Sequence, residues 1–288
     1  MASSPTGDVV LATYGEHPAL WEDDAPLARA LEERGATWRA VPWDATEFDW
    51  SAARAVVLRS TWDYFRRPDA FLRWAEQVSA VARLVNPLRF VRWNLHKGYM
   101  LELAAHGVPV TPTELVRRGT GVTLAEIVRA RGWPRAVAKP AISADSWETF
   151  GVDAAPSAEQ EARFARLSAE RDMLVQRYVA SVEDVGERCL VHIDGELSHA
   201  VRKRSLFQGG RWAGPEGVPV PIDDDERALA ARALEAADAR GLAFARVDMA
   251  RDTDGRPVLM ELELTEPTLF FVDGPPESAS RLADALLR

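Results

Sequence analysis

Phe244-Ala-Arg-Val-Asp-Met-Ala250, the turn Asp252-Thr-Asp-Gly255 and Pro257-Val-Leu-Met-Glu-Leu-Glu-Leu264 decide how this chain is read. Both flanking runs predict strands, and the turn between them predicts that they pair. Side chains alternate across a strand, so Glu261 and Glu263 share one face, while Met260, Leu262 and Leu264 take the other and pack on the core. Pairing brings Asp248 across from the glutamates. Three carboxylates on one face repel one another unless a cation neutralises them. Hard oxygen ligands without histidine or cysteine suit magnesium or manganese. Taken alone, the hairpin reads equally well as an ordinary amphipathic pair with a wet acidic face.

Basic residues elsewhere tilt that balance. Lys139 ends the apolar run Ala136-Val-Ala-Lys-Pro140, where an anion is a more natural partner than open water. Lys97 is expected in a helix over 93–106. Arg202-Lys203-Arg204 ends a strand expected over 197–203, joined through Asp194-Gly195 to a strand at 188–193. Lysine is a point charge for phosphate, and arginine grips it in two-pronged fashion. A further strand is expected over 173–179, a short one over 108–110, and helices near 124–130, 223–240 and 277–287.

Nearer the start, a strand over 8–14, a helix over 24–34 and a strand over 55–58 predict a small parallel α/β unit. Ligands of such sheets sit beyond the carboxyl ends of the strands, which places Arg59, Ser60 and Asp63 at a substrate edge. A cation, a hydroxyl and a carboxylate suit the polar end of an amino-acid-like zwitterion. The competing reading is a surface turn with an Arg59–Asp63 ion pair.

The 288 residues are 47% hydrophobic and 27% charged, a globular balance. The formal net charge of −9 argues against a general nucleic-acid binder. No apolar run is long enough for a membrane span, and the opening residues lack the features of a signal peptide. A single cysteine, Cys189, excludes an internal disulfide, and a cytoplasmic location is expected. The histidines at 17, 96, 106, 192 and 199 have no metal-ligand spacing, and His199 reads as a satisfied strand histidine.

In order, Asn94-Leu-His-Lys97, Ala138-Lys-Pro140, Leu174-Val-Gln-Arg-Tyr-Val179, Glu187-Arg-Cys-Leu-Val191, Asp194-Gly195, Ala200-Val-Arg-Lys203, Arg246-Val-Asp248 and Met260-Glu-Leu-Glu263 resemble the ATP-grasp superfamily. The likeness is to its glutathione-synthetase-like and ribosomal-S6-modification-like branch. Arg59-Ser-Thr-Trp-Asp-Tyr64, Ser198-His-Ala-Val-Arg-Lys-Arg204 and Glu261-Leu-Glu-Leu-Thr-Glu-Pro267 are similar to D-cycloserine-forming ligases. The resemblance implies an α/β ATP-grasp fold in three parts, with a substrate domain over 1–92 and ATP-clasping subdomains over 93–179 and 180–288. It implies that Lys97 and Lys139 contact ATP phosphates, with Ser143 and Ser146 in the covering loop. Adenine would meet Gln176, Arg177, Tyr178 and Val179, and either Glu183 or Glu187 would hold the ribose. Asp248, Glu261 and Glu263 would bind Mg2+ (or Mn2+), while Arg246 with Arg202 or Lys203 would face the transferred phosphoryl group.

Two positions depart from the pattern. Asparagine usually stands at 263, and the covering loop 143–150 lacks its usual glycines. The implied activity is ATP-dependent ligation of an amino-acid-like small molecule to an amine through a phosphorylated intermediate. Alternatives are a small-molecule kinase and a non-catalytic nucleotide sensor. No nucleic-acid or membrane partner is expected. The acid, the amine and the choice between monomer and homodimer stay open.

Overall fold

The computed structural model describes residues 8–203 and 217–288, so Arg204 lies outside the described residues. Three sheets follow one another along the chain. The first is parallel, ordered β2(Trp38–Pro42), β1(Val9–Thr13), β3(Ala55–Leu58), β4(Arg83–Val85). Its two central strands are buried at every residue, as a strand covered on both faces requires. Helices α1(Ala25–Glu33) and α2(Pro68–Val81) make the crossovers, each with a proline in its first turn. One face of α2 contributes Phe71, Trp74 and Val78 to an aromatic core with Trp43 and Tyr64.

Helices α3(Leu88–Asn94) and α4(Tyr99–Ala105) follow where one helix over 93–106 is expected. The interruption at 95–98 lets the Lys97 amide bond Ala141 O at 2.7 Å. The expected strand over 108–110 is reduced to a single bridge between Val110 and Leu259.

The second sheet is antiparallel, ordered β5(Thr113–Val116), β8(Met173–Arg177), β6(Arg135–Pro140), β7(Phe150–Asp153). It is backed by α5(Leu124–Arg131) and α6(Ala158–Glu170), whose capping boxes at Thr123 and Ser157 satisfy the first-turn amides. A one-turn helix, α7(Ser181–Asp184), leads to the third sheet. That sheet is ordered β11(Gly217–Pro219), β10(Glu196–Lys203), β9(Glu187–Ile193), β12(Phe244–Arg251), β13(Pro257–Glu263), all antiparallel.

The β9–β10 turn has Asp194 and Gly195 both at positive φ, 55° and 79°, as the Asp-Gly signal predicts. A Cβ at Gly195 would sit 2.9 Å from Gly241 Cα, so no other residue fits there. Helix α8(Asp224–Ala236) ends earlier than expected, several residues before Gly241. It covers one face of this sheet through Leu229, Ala230 and Ala233. The last helix, α9(Glu277–Leu287), covers the other and packs Leu282 and Leu286 against α1 and β1. Strand β1 and helix α1 therefore share one core with α9. Arg83 donates to Ala285 O and Leu286 O at 3.0 Å, capping the carboxyl end of α9.

Candidate active site

The paired strands β12 and β13 place Asp248 opposite Glu261 and Arg246 opposite Glu263, as the alternation requires. The register then shifts, with Leu259 opposing Met249, so Met260 is the extra residue of a bulge. Leu262 and Leu264 pack on the core beside Leu259. Met260 packs on a separate core cluster. The bulge breaks the alternation and sets Met260 against the cluster of Val179, Val182, Ala250 and Val258.

Three lysines meet this hairpin from separate elements, and a fourth cation, Arg246, stands on β12 itself. Lys97 Nζ, from the turn between α3 and α4, lies 2.9 Å from Glu261 Oε1. Lys139 Nζ, on β6, lies 3.9 Å from Glu261 Oε2. Lys203 Nζ, at the end of β10, is 3.4 Å from Asp248 and 3.1 Å from Glu187. Arg246 holds both oxygens of Asp248, at 2.8 and 2.9 Å, and also pairs with Glu263.

Electrostatics follow from that arrangement. Burial disfavours the Asp248 carboxylate, but Arg246 and Lys203 outweigh it and hold it well below the usual carboxylate range. Burial pushes Glu263 up to about 7, with Asp248 and Glu261 adding to the effect and Arg246 opposing it. Glu266, just beyond β13, rises to about 8 through burial and then Glu263. Burial also lowers Lys139, whereas at Lys97 the Glu261 charge overcomes burial and raises it.

Among the described residues, no three acidic, histidine or cysteine side chains close around one point. The carboxylates are drawn instead to cations, Glu261 to Lys97 and Lys139, and Asp248 with Glu263 to the shared Arg246. The donor chemistry still fits magnesium, which takes one or two carboxylates with substrate phosphates rather than an all-protein cage.

The other expected residues divide. Gln176 is buried and its amide donates to Thr113 Oγ1 at 2.9 Å. Arg177 pairs with Asp252 in the β12–β13 turn, so its side chain is occupied. Tyr178 hydroxyl donates to Glu183 at 2.7 Å, and Arg135 joins the same carboxylate at 2.9 Å. Of the two candidate glutamates only Glu187 reaches the lysine cluster. Arg202 neighbours Lys203 on β10, and alternation turns it to the opposite face.

The 143–150 loop solves its lack of glycine at a cost. Asp145, Ser146 and Glu148 all adopt positive φ, at about 1–2 kcal/mol each for a residue with a Cβ. Arg163 and Arg166 of α6 anchor the loop through Glu148. Ser143 hydroxyl donates to Pro140 O at 3.1 Å, and its carbonyl accepts from Lys97 Nζ at 2.6 Å.

At the N-terminal edge no Arg59–Asp63 pair forms. Arg59 is buried, donates from Nε to Asp24 Oδ1 at 2.8 Å, and lies over the Phe244 ring. Asp63 accepts from Trp43 Nε1 at 2.7 Å and from Arg67 at 3.3 Å. Among the described residues, Arg59 Nη1 and the Ser60 hydroxyl are buried without a hydrogen-bond partner. Asp24, read in the sequence only as the start of a helix, is the acid that matters to Arg59. His199 is satisfied, with its ring nitrogens at Ser198 Oγ and Leu269 O.

Comparison with known proteins shows the family and the fold. Residues 102–269 match the RimK-like ATP-grasp domain, and residues 9–86 match the N-terminal domain of D-cycloserine synthetase DcsG. The chain is 37% identical to the cycloserine biosynthesis protein DcsG of Streptomyces lavendulae, covering 97% of this chain and 99% of that one. The crystal structure of D-cycloserine synthetase DcsG superposes with a TM-score of 0.89 at 36% identity, over 98% of this chain and 99% of that one. The ATP-grasp ligase PsnB shares the fold at a TM-score of 0.66 and 20% identity, over 98% of both chains. The macrocyclase MdnC of Microcystis aeruginosa does so at 0.66 and 13%, over 98% and 99%. This chain has the ATP-grasp fold and belongs to the RimK-like ATP-grasp family of ATP-dependent ligases.

Proposed function

We propose that the chain phosphorylates an acyl oxygen of an amino-acid-derived substrate with ATP and closes a ring through the substrate's own amine. The observation that carries this reading is the convergence of Lys97, Lys139, Lys203 and Arg246 on the β12–β13 carboxylates. The similarity to D-cycloserine synthetase DcsG over nearly the whole chain supports the ring-forming class. The γ-phosphoryl group passes to the substrate oxygen and ADP departs. The amine then attacks the acyl carbon, phosphate leaves, and the amine loses its proton.

In this reading Lys97 and Lys139 hold ATP phosphates, and Lys203 and Arg246 meet the charge that develops on the transferred group. Asp248, Glu261 and Glu263 would hold Mg2+, which neutralises the phosphates when bound. Ser143 and Ser146 belong to the loop over the phosphates. Met260 and the 176–179 hinge line the adenine side, and Glu187 is the ribose carboxylate. Arg202 drops out because it faces away. Arg59 and Ser60 take the polar end of the substrate, while Asp63 is occupied by Trp43 and Arg67.

The test is ADP and phosphate release across amino acids and their derivatives, with the product identified by mass. Release yielding a cyclic amide supports the proposal. A stable phosphorylated product would make the protein a kinase, and nucleotide binding without turnover would make it a sensor. Lys139→Ala should weaken ATP binding about 10- to 100-fold, the worth of a charge-assisted hydrogen bond. An unchanged Kd in a folded variant removes Lys139 from the phosphates. Ser60→Ala should raise substrate KM roughly tenfold with ATP affinity intact, and an unchanged KM removes Ser60 from the substrate edge.

A further inference from the structure

β13 is an edge strand, with β12 as its sheet neighbour on one side only. An open edge leaves amides and carbonyls unpaired and the register free to slip, and a one-residue slip would turn Glu261 and Glu263 away from the cleft. Here the open edge is closed by other groups. At its start, Leu259 N donates to Pro109 O at 2.8 Å and Leu259 O accepts from Thr111 N at 2.9 Å. Further along, side chains take over. Asn94 Nδ2 donates to Leu262 O and Asn94 Oδ1 accepts from Leu264 N, both at 2.7 Å. Tyr99 hydroxyl accepts from Leu262 N at 3.0 Å, and Asn86 Nδ2 donates to Leu264 O at 2.8 Å.

The carbonyl of residue 262 and the amide of residue 264 are the two groups that a parallel neighbouring strand would bond around residue 263. The Asn94 amide supplies the same donor and acceptor from a single side chain. It spans Glu263 on the strand edge while Tyr99 pins the residue between the two glutamates. Asn94, Tyr99, Leu262 and Leu264 are all buried. Asn94 ends α3 and Tyr99 begins α4, so both flank the turn that carries Lys97. One local unit therefore delivers a cation to Glu261 and fixes the strand on which Glu261 stands.

We propose that Asn94 and Tyr99 are positioning residues for the carboxylate strand, setting how Glu261 and Glu263 present to a divalent cation held with nucleotide. This rests on the ATP-ligase reading above. Neither residue touches a reacting group in this scheme. Their effect should appear in metal binding rather than in nucleotide binding as such.

The experiment measures Mn2+ binding by electron paramagnetic resonance in the presence of ADP, for wild type, Asn94→Ala and Tyr99→Phe. ADP affinity in the presence of a chelator is measured alongside. Asn94→Ala should weaken Mn2+ about tenfold and Tyr99→Phe several-fold, with metal-free ADP affinity unchanged. Amide exchange at Leu264 should quicken in Asn94→Ala, and that at Leu262 in Tyr99→Phe. If Asn94→Ala does not fold, Tyr99→Phe, which loses only a hydroxyl, decides the matter. Wild-type Mn2+ affinity in a folded variant overturns the proposal, as does an equal loss of metal-free ADP affinity. Absence of ADP-dependent Mn2+ binding in the wild type would instead overturn the ligase reading itself.

Discussion

Glu261→Gln is expected to lower ADP release at saturating magnesium by a factor of about 10²–10³, the usual cost of removing one preorganised electrostatic group. The substitution keeps shape and removes charge. Glu261 is the shared partner of Lys97 and Lys139, at 2.9 and 3.9 Å. Its loss leaves two buried ammonium groups without their carboxylate, so metal-free ATP should bind as well as before or better. The magnesium concentration needed for half-maximal rate should rise. Reduced turnover with undiminished metal-free nucleotide affinity distinguishes this role from general damage to the cleft. Near-normal turnover at saturating magnesium would end the assignment of Glu261 to the metal.

Arg246→Met should be the most destabilising single change in the cleft. Arg246 neutralises Asp248 and Glu263 together, and all three side chains are largely withdrawn from water. Removing one partner of a buried ion pair costs about 3–5 kcal/mol, because a charge remains without compensation. For a chain of this length that corresponds to a fall of about 5–8 °C in the thermal midpoint. Glu263 already rises to about 7 with Arg246 present, through burial and its carboxylate neighbours. Without the guanidinium it rises further. A carboxyl raised in the folded state above its unfolded value destabilises once pH exceeds the unfolded value, and the effect is complete above the folded value. The Glu263 part of the gap to wild type should therefore open above about pH 7 and close as pH falls to that value. Magnesium should narrow it at neutral pH by supplying the missing charge. A variant with wild-type thermal stability at pH 8 without magnesium would contradict this account.

Some of this architecture is decided by short-range pattern alone. Alternation in Leu259-Met-Glu-Leu-Glu-Leu264 put Glu261 and Glu263 on one face, and the register opposed Asp248 and Arg246 to them. Asp194-Gly195 made its hairpin because few other pairs tolerate two positive φ angles in succession. The last helix ran over 277–287 as its apolar spacing required. These features depend on neighbours within one or two turns of chain.

Other features needed the folded molecule. Met260 follows the alternation rule in sequence, yet a single-residue bulge seats it on a different core cluster from Leu262, the one built on Val179 and Val182. Lys97 was expected within a helix, and the break between α3 and α4 placed it beside Glu261, far along the chain. Arg202 and Lys203 are equal candidates as letters, and only the face of the sheet that Lys203 shares with Glu187 and Asp248 separates them. Arg59 chose Asp24 over Asp63 because the crossover after β1 delivered the nearer carboxylate while Trp43 and Arg67 claimed the other. Periodicity sets which face a side chain takes within its own element. Which distant charge it meets there is set by how the sheets and their connecting helices pack, and that information is spread across the whole chain.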